Sequence, residues 1–488
     1  AAGSYETHGY AGFFGVPMRY DSYDSPVTVD ACPPILDPRH RIADRPTDNT
    51  GDAGERRTNY DRLTAARAAG ARAVKRLTSN AATAYSFVES TGAGYGAALT
   101  TRTLVPGRVY DLFAAIERRV PNTNEFCTPA IGHDPETGSE LPAGLSLEQR
   151  VEYAATAVEL MGWQQFARLV VFVGHASQTT NNPFDASLDC GACAGNPGGP
   201  SARVLAAICN DEAVRAKLRE RGIEIPADTV FLAGEHNTTT DAVTLYDTGL
   251  PETHAAEVDE LRAALASARA GAAAERAGDM GAEPAAGVRE TERRAADWAE
   301  PRPEWGLAGN ASFVIGPRGL TTDLDLDGRA FLHSYDWRTD PDGDALAAIM
   351  QGPMIVTQWI NTHYYFAMVD PAVHGSGSKV TQNPVGNVGV YQGNGGDLMT
   401  GLPRQSLMRA DGAPQHQPLR LSTVVHAPLE RVRATLAGCQ TVQTLLDNDW
   451  LSLTVVDPKT HRAHQYTGNK TWRSAAETGP SRQTDTAE

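Results

Sequence analysis

ARLVVFVGHASQTTNNPFDASLDCGACAGNPGGPSARVLAAICN, residues 167–210, decides the fold class. Five of the six residues 169–174 are apolar and three are valine, the composition of a short strand in the middle of a parallel sheet, covered on both faces. The run stops at His175, a polar loop with two cysteines follows, and SARVLAAICN then reads as a helix. A second helical stretch, DEAVRAKLRERG (211–222), leads into another apolar run, TVFLAGEHNTTTD (229–241). Strand, loop, helices, strand is the grammar of an α/β sheet. Ligands in such sheets gather beyond the carboxyl ends of the strands, where His175 and His236 fall.

Outward from this stretch, the opening segment GYAGFFGVPMRY (9–20) reads as a loop or strand packed on a core. The Pro, Asp and Arg cluster at 33–57 reads as a surface connection. Residues 59–78 are helical by alanine and arginine content, and 83–120 continue as helical pieces broken at Gly92, Gly94 and Pro106. Ser146 opens a capping box, SLEQ, before the periodic VEYAATAVELMGW. Residues 252–300 are nearly pure Ala, Glu and Arg and predict an exposed helical insertion with a break near 281–284. Globular character returns at EWGLAGNASFVIGPRG, and the last stretch, SAAETGPSRQTDTAE, has the composition of a disordered tail. The predicted organisation is an α/β core over 1–250 with a helical insertion at about 59–165, the insertion at 251–300, a C-terminal α/β region over 301–472 and a tail at 473–488.

With 488 residues and 41% hydrophobic content, the chain can build more than one core. A formal net charge of −16 excludes a sequence-independent grip on nucleic acid, which needs basic surface to displace counterions. Lysine occurs only at 75, 217, 379, 459 and 470, a bias that suggests a high-GC or salt-adapted source. Six cysteines in a chain of this size are no disulfide framework, and without a secretory signal a reducing, cytoplasmic compartment is the default. No run approaches the roughly 18–20 apolar residues of a spanning helix, so any membrane association is expected to be peripheral.

His175 and Cys190 form the strongest candidate site. Zinc favours imidazole and thiolate, and a strand-end histidine with a loop cysteine can converge on one tetrahedral ion. A histidine satisfied by backbone and a small buried cysteine is the plain alternative. Cys190-Gly-Ala-Cys193 lacks the second CxxC of a zinc ribbon. A redox pair wants its first cysteine at a helix N-terminus, and AGNPGGP intervenes before the helix. One cysteine binding metal, with glycines permitting close backbone approach, is the favoured reading. The Gly-Gly-Pro-Ser run offers amides to a small anion such as bicarbonate. His236 and the three threonines after it read as a turn with satisfied hydroxyls, or as outer support for a metal ligand. TDLDLDG (322–328) opens like a calcium loop, but its twelfth position is Ser334 where a bidentate Glu is needed, so it reads as a solvated turn. There is no GxSxG, Walker A or HExxH motif.

Many blocks, in order from residue 9 to about 457, resemble one family. GYAGFFGVPMRY (9–20), ACPPILDPRHRI (31–42), VFVGHAS (171–177), LDCGACAGNPGG (188–199), AGEHNTTTD (233–241), LDLDGRAFLHSYD (324–336), WINTHYYFAMVD (359–370) and GNGGDLMTGLPRQS (393–406) are similar to the DabA family of probable inorganic carbon transporter subunits. The resemblance implies a β-carbonic-anhydrase-like core with a mostly parallel sheet and large helical insertions. It implies Zn2+ held by a Cys-x-Asp pair, a histidine, and a cysteine fifteen residues later; His175 and Cys190 match the second pair. The first pair is expected upstream of Ala1, so the N-terminal part of the family is missing from this sequence and Cys32 does not replace it. The function implied is energy-coupled uptake of CO2 or bicarbonate. CO2 would be hydrated by water whose pKa zinc lowers to roughly 7, with activity only inside the transport complex. The partner implied is a multi-spanning membrane subunit resembling a proton-pumping antiporter (DabB-type), with this chain peripheral on the cytoplasmic side of the cell membrane. A stand-alone β-type carbonic-anhydrase-like lyase and a non-catalytic scaffold with a degenerate zinc site remain the alternatives.

Overall fold

In the computed structural model, residues 5–47, 51–117, 119–133, 140–182, 184–298, 305–379, 383–385, 389–391 and 398–474 are described. The chain opens with a four-stranded sheet. Strand β1 (Met18–Asp21) pairs antiparallel with β2 (Thr28–Ala31) and parallel with β3 (His40–Pro46), which pairs antiparallel with β4 (Cys127–Pro129). The cluster at 33–57 is therefore not simply a surface connection. Its alternation puts His40, Ile42 and Asp44 on the buried face, the period-2 signature that the prolines and arginines around it obscure.

Between β3 and β4 rises a helical arm of α1 (Gly51–Ser79), α2 (Ala81–Leu104) and α3 (Pro106–Glu117). Neither α1 nor α2 has a buried residue. Helix α2 runs straight through Gly92 and Gly94, against expectation, because isolated glycines cost a helix only about 1 kcal/mol each. Only the Pro106 boundary holds.

Helix α4 (Leu147–Met161) starts at the Ser146 capping box, with Ser146 accepting from the Gln149 amide and Gln149 accepting from that of Ser146. It leads into β5 (Leu169–Ala176), α5 (Gly199–Asn210), α6 (Glu212–Glu220), β6 (Val230–Asn237) and β7 (Val243–Tyr246). β5 and β6 are parallel and β7 returns antiparallel. Among the described residues β5 lies at the edge of this sheet and Val173 is 41% exposed, where its valines suggest a strand covered on both faces. Helix α5 lies over β5 and β6 because Gly174 lets the turn at Gly198 come close. A Cβ at 174 would sit 2.3 Å from the Gly198 carbonyl carbon, and the Gly198 amide donates to the His175 carbonyl at 2.9 Å. Phe14, Val16, Met18, Ile42, Phe172, Leu205, Ile208 and Phe231 belong to the core shared by this unit and the first sheet.

Helices α7 (Ala255–Ala277) and α8 (Gly287–Ala296) follow, with the anticipated interruption between them. α8 is not wholly exposed: Thr291, Arg294, Ala295 and Ala296 are buried.

The second large sheet begins with parallel strands β8 (Ser312–Ile315) and β9 (Ala330–His333). Helices α9 (Asp344–Gln351), α10 (Pro353–Val369) and α11 (Pro371–His374) come next. Strands β10 (Asn383–Val385), β11 (Gly389–Tyr391) and β12 (Leu398–Met399) form a small antiparallel sheet. Strand β13 (Leu421–His426), helices α12 (Leu429–Gly438) and α13 (Gln440–Asp447), and strands β14 (Leu451–Asp457), β15 (Arg462–Tyr466) and β16 (Trp472–Ser474) complete it. The order is β16-β15-β14-β13-β8-β9, parallel from β14 to β9 and antiparallel beyond β14. Its core, with Ile315, Met350, Leu421, Val432, Leu453 and Val455, is separate from the first.

The fold is thus mixed α/β with four sheets among the described residues, not one mostly parallel sheet. Short antiparallel returns such as β7 and β15 follow a strand directly with no crossover helix, and the helical and Val-rich signals of the sequence do not register them. The predicted tail lies outside the described residues except at its first two, 473 and 474, which end β16.

Candidate metal half-site and apolar cavity

His175 lies near the carboxyl end of β5, in register with His236 on β6. The loop after β5 passes through Asp189 and Cys190 into a single turn at Gly191–Cys193, then through Gly198 into α5. Three side chains fix this loop. The Asp189 carboxylate accepts from the Ser177 amide. Thr238 Oγ1 donates to the Leu188 carbonyl at 3.1 Å, and Thr239 Oγ1 to the Gln178 carbonyl at 2.7 Å. The Thr238 and Thr239 hydroxyls are therefore satisfied, as the turn reading expects, and they also hold the segment that carries Cys190.

Cys190 and Cys193 are fully buried. A hydrogen bond with Cys190, followed by burial, pushes the Cys193 thiol well above the ordinary cysteine range. Cys193 Sγ lies 3.4 Å from the Gly12 carbonyl and 3.7 Å from Ser201 Oγ. Cys193 is thus a protonated thiol held by its neighbours. Gly12 marks how tightly the segment 9–15 covers this place. A Cβ there would lie 2.5 Å from Cys190 Sγ and 3.8 Å from the His175 ring, so both side chains close around one point.

The His175 ring makes a backbone hydrogen bond at Asp189, while its Nε2 is buried with no partner among the described residues. Burial, helped by the nearby His236, lowers its pKa to about 4, so the imidazole is neutral at neutral pH. A neutral imidazole with one nitrogen anchored and the other unpartnered, on a ring near a buried sulfur, offers donors that could hold a transition metal. His236 is not part of that set: its Nε2 meets Asp241 at 3.3 Å, and Asp241 also pairs with Arg276. Among the described residues no group of three or more His, Cys, Asp and Glu side chains is placed to hold a metal, so His175 and Cys190 come together here without a third such side chain.

Two further expectations resolve here. The amides of the Gly-Gly-Pro-Ser run are not all open to an anion, because Gly198 donates to His175 and Gly199 donates to Glu235 Oε2 at 3.1 Å. In the calcium-like turn, Asp323, Asp325 and Asp327 are exposed, and Asp325 accepts from the Asp327 amide.

His175 opens onto a cavity of about 160 Å3, walled by Phe313, Phe331, Val356 and Ile360 and by the 9–13 segment. A second histidine, His333 at the end of β9, lines the same cavity. Sequence reading assigned it no role. The signal was there: AFLHS repeats the pattern of VFVGHAS, an apolar run stopped by a histidine and a small polar residue. The 9–15 segment joins the two ends. Gly9 accepts from the Ser334 amide at 2.9 Å and donates to Ser334 Oγ at 3.0 Å, three residues before Gly12 meets Cys190.

The arrangement defines a class: an α/β protein with a His and Cys pair at a strand end, the histidine lining a small apolar cavity. The chain belongs to the DabA family, whose description, "Probable inorganic carbon transporter subunit DabA", matches residues 1–451. Proteins of that description from Haloarcula marismortui and Natronomonas pharaonis are 65% and 59% identical to it over 98% and 97% of the chain. One from Legionella pneumophila strain Philadelphia 1 is 41% identical over 96%. The chain spans 59%, 58% and 61% of the lengths of these three relatives. No solved structure matches it.

Proposed function

We propose that this chain carries half of the zinc site of an energy-coupled inorganic carbon uptake complex, in which CO2 becomes bicarbonate vectorially with a membrane partner. The observation that carries the reading is the unpartnered, buried Nε2 of His175, on a ring that meets Cys190 Sγ around Gly12 and lines an apolar cavity of about 160 Å3. The names of the relatives, inorganic carbon transporter subunits, support the same substrate class. Zinc bound here would supply Lewis acidity that brings the pKa of water to about 7. His175 and Cys190 would be two of its ligands. A Cys-x-Asp pair from the portion of the relatives that this chain does not span would be the others, and β5 offers an unpaired strand edge beside His175 where a strand bearing them fits.

The chain's own residues prepare the site in three ways. The Asp189 contact orients the His175 ring, the segment 9–13 and the aromatic wall keep bulk water out, and apolar side chains give CO2 a place to dwell. None of the described helices is long and apolar enough to cross a membrane. The coupling to ion flow belongs in this reading to a multi-spanning, DabB-type subunit, with this chain peripheral on the cytoplasmic face.

The test is zinc stoichiometry and CO2 hydration, measured by oxygen-isotope exchange, on the full-length polypeptide purified with its membrane partner. One zinc per chain is expected, falling to near zero in Cys190→Ser and His175→Ala with the melting temperature retained. Stoichiometric zinc in Cys190→Ser would overturn the ligand assignment, and full carbon uptake without zinc would leave the chain a scaffold.

A further inference from the structure

The cavity has polar groups on two different sheets, and the reading above uses only one of them. His333 ends β9, the edge strand of the six-stranded sheet, as His175 stands near the end of β5. Its Nδ1 lies 2.9 Å from the Ser334 carbonyl. A carbonyl only accepts, so Nδ1 carries the proton and Nε2 is a bare acceptor in the neutral ring. Burial keeps the ring neutral by lowering its pKa to about 4. Tyr10 and Phe313 flank it, with ring centroids 6.0 and 6.1 Å away, and fix its plane. No hydrogen bond among the described residues reaches Nε2. The nearby hydroxyl of Thr357 is directed elsewhere, donating to the Pro353 carbonyl at 2.8 Å.

With His175 committed to the metal half-site of the function proposed above, His333 Nε2 is the ring acceptor that remains in a largely apolar wall, and it favours a ligand that brings a proton to it. CO2 has none; bicarbonate has one, on its hydroxyl. We propose that His333 is the residue that distinguishes bicarbonate from CO2 in this cavity, its Nε2 accepting the bicarbonate O–H while the oxyanion faces the His175 and Cys190 end. The inference rests on the function proposed above and deepens it. An acceptor left unpaired in an apolar wall is unfavourable, and a ligand that pairs it gains selectivity over one that cannot. Two sheets then serve one small ligand from opposite ends: one side carries the metal half-site, the other reads the protonation state of the carbon species.

The experiment uses the full-length polypeptide with its membrane partner in vesicles, with zinc content and saturation of 13C-bicarbonate binding measured together. His333→Phe keeps the ring and loses the acceptor; His333→Gln keeps an acceptor. The expected result is unchanged zinc in both, an apparent bicarbonate affinity weakened about five- to tenfold in His333→Phe, and most of it recovered in His333→Gln. Equal bicarbonate affinity in wild type and His333→Phe, with zinc intact, overturns the inference and leaves the proposed function standing. Wild-type protein that holds no zinc and takes up no carbon sinks the proposed function instead. If His333→Phe does not fold, 15N-histidine spectra of the wild type decide. A neutral Nε2 resonance that moves on adding bicarbonate and is absent from His333→Gln supports the assignment, and one that does not move overturns it.

Discussion

The sheet β5-β6-β7 brings His175 to the cavity and the six-stranded sheet brings His333, each at or near the end of a strand that is an edge among the described residues. Both sheets rest on apolar cores, but the buried charge beside them differs. The three-stranded sheet adds a buried Arg and Asp pair to its apolar core. Asp44 on β3 accepts from Tyr20 at 2.7 Å and pairs with Arg203 of α5 at 3.0 Å, while Arg203 also donates to the Cys127 carbonyl. Arg215 of α6, buried, donates to the Cys209 and Thr229 carbonyls. The six-stranded sheet has an apolar core of Ile, Leu, Val and Met side chains. Its buried carboxylates, Asp340 and Asp457, accept from the Leu346 and Leu429 amides and form no ion pair with an arginine among the described residues. The difference follows from what each must do. A polar clamp fixes α5, and with it the Cys190 loop, in one orientation; apolar packing suits a platform on which His333 only has to be presented.

The first way to break this comparison is Asp44→Ala. It leaves Arg203 buried and uncompensated, and urea denaturation should show a loss of about 3–5 kcal/mol. A loss no larger than that of a surface change, about 0.5 kcal/mol, would mean the clamp does not seat α5. In the other sheet Leu421→Ala opens a cavity at a fully buried position and should cost about 2–5 kcal/mol without altering metal content. Metal lost together with stability would show that the two sheets are not independent supports.

Gly12→Ala sharpens the comparison where the sheets meet. Its methyl would press on Cys190 Sγ, and a loss of about 1–3 kcal/mol is expected by thermal melting. Gly96→Ala in α2, with nothing within 4 Å, is the control and should stabilise by up to about 1 kcal/mol.

The smallest effect at neutral pH concerns acid stability. His416 accepts from the Gly309 amide at 3.1 Å, and burial lowers its pKa to about 4. In the unfolded chain its pKa is about 6.5, so between these values the unfolded state binds more protons. Its contribution is therefore complete above pH 6.5 and is lost as pH falls towards 4. His416→Gln, which keeps an acceptor for Gly309, should match wild type at pH 7 and lose less stability between pH 6.5 and 4. An unchanged slope would place the acid sensitivity elsewhere, with His175 and His333 the remaining histidines lowered to about 4.

Much of the local structure was legible before any coordinates. The β5 and β6 runs, helices α4, α5 and α6, the Ser146 cap and the break between α7 and α8 all follow from periodicity, capping and Gly/Pro punctuation, which depend on neighbours in the chain. Strand β3 was hidden because its pattern is only three buried residues long among prolines and arginines. His333 was hidden because a strand-end histidine gains meaning only from what faces it.

The sequence by itself determined the βαβ grammar, the strand-end placement of His175 and the spacing to Cys190, since each is a property of a contiguous stretch. Only the tertiary structure decided that β5 is an edge, that Cys193 stays a thiol while Cys190 faces His175, and that two sheets share one cavity. Those outcomes depend on Gly12 and Ser334 meeting residues more than a hundred positions away, and burial and pairing of that kind are set by packing and by no local pattern.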